Sequence, residues 1–207
     1  MVGHLTRESN PLSTTVASLL LAVGISLRVV AQETAPNAAS TGEAAVAVPE
    51  DRLDRLFDRL SEAEPGADGR ILTEIFTEWS KSGSPTVDLL LSRAQDALDA
   101  GDLQATIDHA TAAIDYAPDF AEPYHMRATA YYLTGRIGPS LADLRRTLAL
   151  EPRHFRALRG LAVILEEMGE PDRAMEVLDA VLELHPADAD AAAARERMQR
   201  MSEGRSL

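Results

Sequence analysis

The sequence predicts an all-α solenoid of antiparallel helix pairs, with about nine helices and no sheet. Three observations carry this expectation. Gly101, Gly135 and Gly169, and likewise Pro118, Pro152 and Pro186, recur at a constant 34-residue step, and a period of that size marks a stacked-repeat architecture. Inside each period, two stretches place apolar residues at i, i+3, i+4 and i+7, the spacing of one helix face. Aromatic residues make up only 4% of the 207 residues, low for a β-sandwich and ordinary for an Ala- and Leu-rich helical chain.

The chain opens with a segment patterned like an export signal. Met1 to Asn10 is polar and carries His4 and Arg7, Val16 to Leu27 is an apolar run, and Val29-Val30-Ala31 offers small residues before Gln32. The apolar run falls short of the roughly 20 residues that span a bilayer. Three outcomes are open, one of them that the segment is neither signal nor anchor. Cleavage after Ala31 makes residues 1–31 a signal peptide of an exported protein in a bacterial periplasm. Retention of residues 12–31, with Arg28 snorkelling, makes an inner-membrane anchor facing the periplasm. Residues 32–49 (QETAPNAASTGEAAVAVP) bury too little to offset their ordering entropy and read as a disordered linker.

Residues 50–84 read as a degenerate N-terminal helical hairpin that extends the stack. Leu53, Leu56, Phe57 and Leu60 form one amphipathic face, Leu72, Ile75, Phe76 and Trp79 a second, and Gly66 and Gly69 lie between them. Trp79 is assigned to the core or to an end plug. Glu62, Glu64 and Asp68 surround Gly66 without the residue order of a calcium loop and read as a solvated turn. Ser84-Pro85 then starts the next helix, with proline at its first position.

Residues 85–188 hold three units, 87–120, 121–154 and 155–188. In each, the glycine sits where a helix ends in a left-handed residue, and the proline, lacking an N–H, stops the second helix. In the third unit Leu158, Leu161, Ala162 and Leu165 form one face, and Ala174, Val177, Leu178 and Val181 form the next. Small residues stand where helices must approach closely: Ala94, Ala128 and Ala162 in the first helices, Thr106, Ser140 and Ala174 in the second. Asp119-x-x-Glu122 has the pattern of a capping box with aspartate as the cap. Residues 189–207 are an Ala-rich, Arg- and Glu-bearing capping helix and tail, which solvates the last apolar face of a solenoid.

These units resemble the tetratricopeptide repeat, whose signature is W-x2-L-G-x2-Y, A-x3-F and P. The third reads Leu158-x2-Leu161-Ala162-x2-Leu165, Ala174-x3-Leu178, Pro186. The second reads Tyr124-x2-Arg127-Ala128-x2-Tyr131, Ser140-x3-Leu144, Pro152. The first reads Leu90-x2-Arg93-Ala94-x2-Ala97, Thr106-x3-Ala110, Pro118. Arg93 and Arg127 replace the usual leucine and are expected to snorkel or to pair with an acid. The resemblance covers 87–188, about half the chain. It implies a right-handed superhelix whose first helices line a concave groove. The inward residues it implies are Leu91, Gln95 and Leu98, then His125, Thr129 and Tyr132, then Arg156, Arg159 and Val163. Some relatives hold a peptide's terminal carboxylate with a fixed set of Lys, Asn and Arg. The corresponding positions carry Leu91, Gln95, Met126 and Gly160, and only Arg156 suits that task.

Chemistry narrows the function further. Cysteine is absent, which excludes disulfides, thiolate metal sites and thiol catalysis. The net charge is −13, from 33 acids against 20 bases, which opposes a general grip on nucleic acid. No phosphate loop, dinucleotide fingerprint, zinc-protease motif or nucleophile elbow is present. His4, His109, His125, His154 and His185 lack metal-ligand spacing, and His185 reads as a cation near a helix C-terminus. No catalytic residue, metal site or cofactor is expected. Arg153, His154, Arg156 and Arg159 gather positive charge in an acidic chain. They either form a solvated ion-pair face with Glu151, Glu166 or other acids, or offer forks to a carboxylate. The reading is a non-enzymatic scaffold that binds a protein or peptide segment, an acidic one among the candidates. Membrane contact is expected only if the N-terminal segment is retained. A membrane-anchored assembly factor is the alternative, an enzyme with an unrecognised site the remoter one, and no oligomeric state is specified.

Overall fold

The computed structural model describes residues 52–205. The expected signal segment and linker lie outside them. Among the described residues there are nine helices and no strand: α1 (Arg52–Ser61), α2 (Gly69–Trp79), α3 (Pro85–Asp99), α4 (Leu103–Tyr116), α5 (Ala121–Leu133), α6 (Ile137–Leu150), α7 (Phe155–Glu167), α8 (Pro171–Leu184) and α9 (Ala189–Arg205). None of these helices is long and apolar enough to cross a membrane.

The 34-residue step is written into the backbone. Gly101, Gly135 and Gly169 adopt φ of 75°, 73° and 78°. After each first helix the same two bonds close the turn: Gly101 N to Leu98 O and Asp102 N to Ala97 O, Gly135 N to Tyr132 O and Arg136 N to Tyr131 O, Gly169 N to Glu166 O and Glu170 N to Leu165 O. This pairing satisfies carbonyls that a helix end leaves open. Helices pack in chain order from α3 to α9, and α3 also contacts α5, its counterpart in the next unit. The small residues sit at the crossings: Ala94, Ala128, Ala162, Thr106, Ser140 and Ala174 are all at most 1% exposed. Ser140 Oγ donates to Ala128 O at 2.8 Å, so its hydroxyl satisfies the neighbouring helix at closest approach.

Arg127 resolves as a pair. Its Nε and Nη2 bond Asp143 of α6 at 2.7 and 2.9 Å, and Nη1 bonds Thr111 of α4 at 3.1 Å. One guanidinium therefore joins α4, α5 and α6. Arg93 is exposed. The final helix packs on α8 through buried Ala191 and Met198. Its start is capped by Asp188, whose Oδ1 accepts from Ala191 N at 2.9 Å. Asp188 stands 34 residues after His154, which caps α7, so α9 occupies the position of a further first helix.

Two local expectations are corrected. Asp119 does not cap α5; Phe120 stands at the N-cap without a side-chain cap bond, and Glu122 turns into the interior at 6% exposure. The turn around Gly66 is only partly solvated, because Asp68 Oδ2 bonds His185 Nε2 at 2.6 Å. His185 does stand at the C-cap of α8.

The N-terminal hairpin forms, but it is not simply one more layer at the start of the stack. Leu56, Phe57, Leu60, Ile71, Ile75 and Trp79 join one core cluster with buried residues of α5 to α9. Leu91, Ala94, Ala110 and Met126 form a separate small cluster around the first unit. Phe57, Phe76 and Trp79 all meet the Phe155 ring, with centroids 6.4, 5.9 and 5.1 Å away. Arg153 bonds Asp54 at 2.6 Å. The hairpin thus folds over the third unit, a long-range choice that helical periodicity does not encode.

Candidate functional site: the concave groove

Three of the clefts along the first helices of the units border Arg156. The largest, about 440 Å³, is formed by Leu91, Gln95, Asp88 and Asp96 of α3, Glu122 and Met126 of α5, Arg156 of α7, and Phe76 of α2. The second, about 150 Å³, runs between α5 and α7 and is lined by His125, Thr129, Tyr132, Arg156 and Val163 over a floor of Ala128, Leu144 and Gly160. The third, about 350 Å³, holds Leu72 and Phe76 of α2, Phe155, Arg156 and Arg159 of α7, and His185 and Asp188 beyond α8. Of the nine residues expected to face inward, eight line these clefts. Leu98 is partly exposed near the end of α3 and is not among their linings.

Gly160 helps make the second cleft. A Cβ there would meet Leu144 Cδ2 at 3.5 Å, so the missing side chain leaves a shallow place where α7 passes α6. Tyr132 closes the far end; its hydroxyl bonds Glu167 Oε1 at 2.5 Å, and that bond raises the phenol's pKa. Thr129 Oγ1 donates to His125 O within its own helix.

A buried polar cluster lies beneath Arg156. His154 is fully buried. Its Nδ1 accepts the Ala157 N–H at 3.1 Å, so the ring proton sits on Nε2, which bonds Glu122 Oε2 at 2.8 Å. The other face of the ring stacks on Trp79, 4.2 Å between centroids and 9° from parallel. His125 lies 4.6 Å away. Burial alone would raise the Glu122 carboxyl, but the His154 bond and the neighbouring His125, His154 and Arg156 charges outweigh it and hold it at about 2. His125 goes the other way. Burial, then the like charges of His154 and Arg156, push its imidazole down to about 3 against the pull of Glu122. It is therefore neutral near pH 7.

The basic residues are compensated. Arg153 pairs with Asp54 and Glu151. Arg156 reaches Glu122 at 3.4 Å and lies 5.1 Å over the Phe76 ring. Arg159 meets Asp188 and Asp190 at 3.4 and 3.1 Å. Of the two arrangements the sequence leaves open, the folded chain forms ion pairs. Their partners differ from those expected, except for Glu151, while Glu166 instead pairs with Arg197.

Several site residues escaped sequence reasoning. Glu122 and Phe76 line the groove, and His154 acts as a cap and hydrogen-bond partner. A signal for part of this exists: Glu122, Arg156 and Asp190 are spaced by 34, so they occupy one position on successive first helices. The hairpin's Phe76 carries no such signal.

Two-helix units on a constant period, stacked around an inner groove, define a helical-repeat protein of the protein-binding class. The comparisons name the class. The family model described as tetratricopeptide repeat matches residues 140–198. A TPR repeat-containing protein of Rhizobium etli is 38% identical over 141 residues, covering 68% of this chain and 69% of that protein. The chain belongs to the tetratricopeptide-repeat family. It is also 31% identical over 109 residues to the SGT1 homolog of Bos taurus, covering 53% of this chain and 32% of that protein. Among solved structures, the first TPR of Spaghetti (RPAP3) bound to an HSP90 peptide is similar at a TM-score of 0.55 and 19% identity, over 58% of this chain and 95% of that one. The O-GlcNAc transferase of Thermobaculum terrenum is similar at 0.53 and 27% identity, over 57% of this chain and 23% of that one.

Proposed function

We propose that this protein is a non-enzymatic interaction module that binds a segment of another protein in its concave groove. The observation that carries the reading is the run of clefts, from about 150 to about 440 Å³, that meet at Arg156. A row of such clefts suits a bound segment with several side chains seated along it, and a preformed surface lowers the ordering cost of association. The similarity to a repeat domain bound to a peptide supports a peptide-like partner. The N-terminal signal pattern supports export, with the module working in a bacterial periplasm; N-terminal sequencing of the exported protein tests that, and a new terminus at Gln32 excludes the anchored alternative.

Site-specific photo-crosslinking in cells tests the groove. A photoreactive residue in place of Val163, which is 42% exposed, is expected to trap the same protein as one in place of Thr129. One in place of Glu176, on the exposed side of α8, is expected to trap none of it. Equal trapping at all three positions, or none at either groove position, refutes the assignment.

A further inference from the structure

We infer that the α1–α2 hairpin is a displaceable occupant of the groove, and that the surface beneath it is the docking site of a partner helix carrying aromatic side chains flanked by carboxylates. This rests on the groove reading above and names the partner chemistry and the control of that site.

The hairpin already shows what the surface accepts. Its aromatic rings cover Phe155 and His154. Its carboxylates meet bases that flank α7 and α8, Asp54 on Arg153 at 2.6 Å and Asp68 on His185 at 2.6 Å. Phe76 stands between two clefts, bordering the 440 Å³ one on one side and the 350 Å³ one on the other. Lifting the α1–α2 hairpin would make them continuous across Arg156. It would also release Arg153 from Asp54 and Arg156 from the Phe76 ring, leaving them with Glu151 and Glu122, in a chain whose net charge is −13. Two guanidinium groups that have each lost a contact on an otherwise acidic molecule draw an acidic segment to one place.

The seam is poorly satisfied compared with the rest of the fold. Among the described residues, the buried side-chain nitrogens without a hydrogen-bond partner are Trp79 Nε1, His125 Nδ1 and His185 Nδ1. Trp79 and His185 lie at the hairpin's contact with the repeats, and His125 lies behind His154, on which Trp79 stacks. An unpaired buried polar atom carries its desolvation cost uncompensated, which lowers the free energy needed to open that contact relative to its neighbours. The connection is short and exposed: Lys81 and Gly83 are open to solvent, and Gly83 turns with φ of 81°.

Hydrogen exchange on the full chain, with the single tryptophan as a second probe, tests the proposal. Amides of α1 and α2 are expected to exchange together, at least tenfold faster than those of α7 and α8. Asp54→Arg should speed the hairpin about another tenfold and open Trp79 to acrylamide, with the helical circular dichroism retained. The charge swap Asp54→Arg with Arg153→Asp should restore slow exchange. A labelled peptide of residues 52–80 should bind the D54R chain at least tenfold more tightly than the parent, whose groove is filled in cis. The same peptide carrying Phe57→Ala and Phe76→Ala should not. Exchange of α1–α2 in step with α7–α8 in both chains overturns the displaceable hairpin, and equal or absent peptide binding overturns the docking site. Neither result depends on capture at Val163, so failure of the groove reading stays separable.

Discussion

At the scale of single residues, the buried imidazoles couple stability to pH. His125 is depressed to about 3 and Glu122 to about 2, so in both cases the unfolded chain takes up protons first. Stability is then greatest above the ordinary histidine range and falls on acidification, at about 1.4 kcal/mol per pH unit from His125 and more steeply once unfolded carboxylates protonate below about 4.5. The melting temperature should drop steadily from pH 7 to pH 5, and His125→Gln should flatten that slope. A parent protein whose melting temperature is level across this window contradicts the burial argument. Close packing gives a second residue-scale expectation. Ala162 is 1% exposed among Leu158, Leu161 and Leu165, and Ala162→Leu should cost roughly 1–3 kcal/mol by overpacking. Ala193 is exposed on α9, and Ala193→Leu should stay within about 0.5 kcal/mol. Denaturant unfolding of both variants compares them directly. Ala162 was legible because its neighbours at i−4, i−1 and i+3 are leucines. The inward turn of Glu122 was not, because an acid near a helix start is equally consistent with a solvated cap.

At the scale of elements, the left-handed glycines and the last helix are the informative places. Gly135 has φ of 73° and open space around it, so Gly135→Ala suffers only the backbone penalty, about 1–2 kcal/mol. Gly160 lies inside α7 with ordinary contact distance to Leu144. Gly160→Ala should stabilise by about 0.5–1 kcal/mol through helix propensity while narrowing the cleft it lines. Opposite signs in thermal melts are the expected outcome, and a shared sign would mean the two glycines do not play these different backbone roles. On α9, Met198 is 2% exposed and Met201 is 54% exposed. Met198→Ala should cost about 2–5 kcal/mol, and Met201→Ala little. The glycine and proline positions announced where helices begin and end, since only backbone chemistry was needed to place them. Which face of α9 meets α8 was harder to read, because its alanines are nearly uniform around the helix.

At the scale of the whole molecule, cooperativity depends on the third unit more than a simple stack would require. Its residues complete the core beneath the hairpin as well as the face of the second unit. A chain ending after Pro152 loses α7 to α9, Phe155 and the His154 partner of Glu122 together. It should melt broadly and with reduced helicity by circular dichroism, and a transition as sharp and as high as the parent's would contradict this. The sequence by itself determined the helices, their order, the 34-residue period and the family to which the chain belongs. The helices and their period follow from spacing along one chain: 3.6 residues per helical turn, glycine where φ is positive, proline where an N–H must be absent; the inward face of the first helices came from the family resemblance, and eight of its nine residues line the clefts. Only the tertiary structure decided that the hairpin lies over the third unit, that Arg153, Arg156 and Arg159 meet Asp54, Glu122, Asp188 and Asp190, and that Trp79 stacks on His154. Those pairings join residues as far as 99 positions apart, as Asp54 and Arg153 are, and the hairpin's Asp68 meets His185 across 117 positions. An amphipathic hairpin has one apolar face to bury and no local rule naming its partner; the choice falls to the complementary surface of rings and charges that exists only after the repeats have stacked.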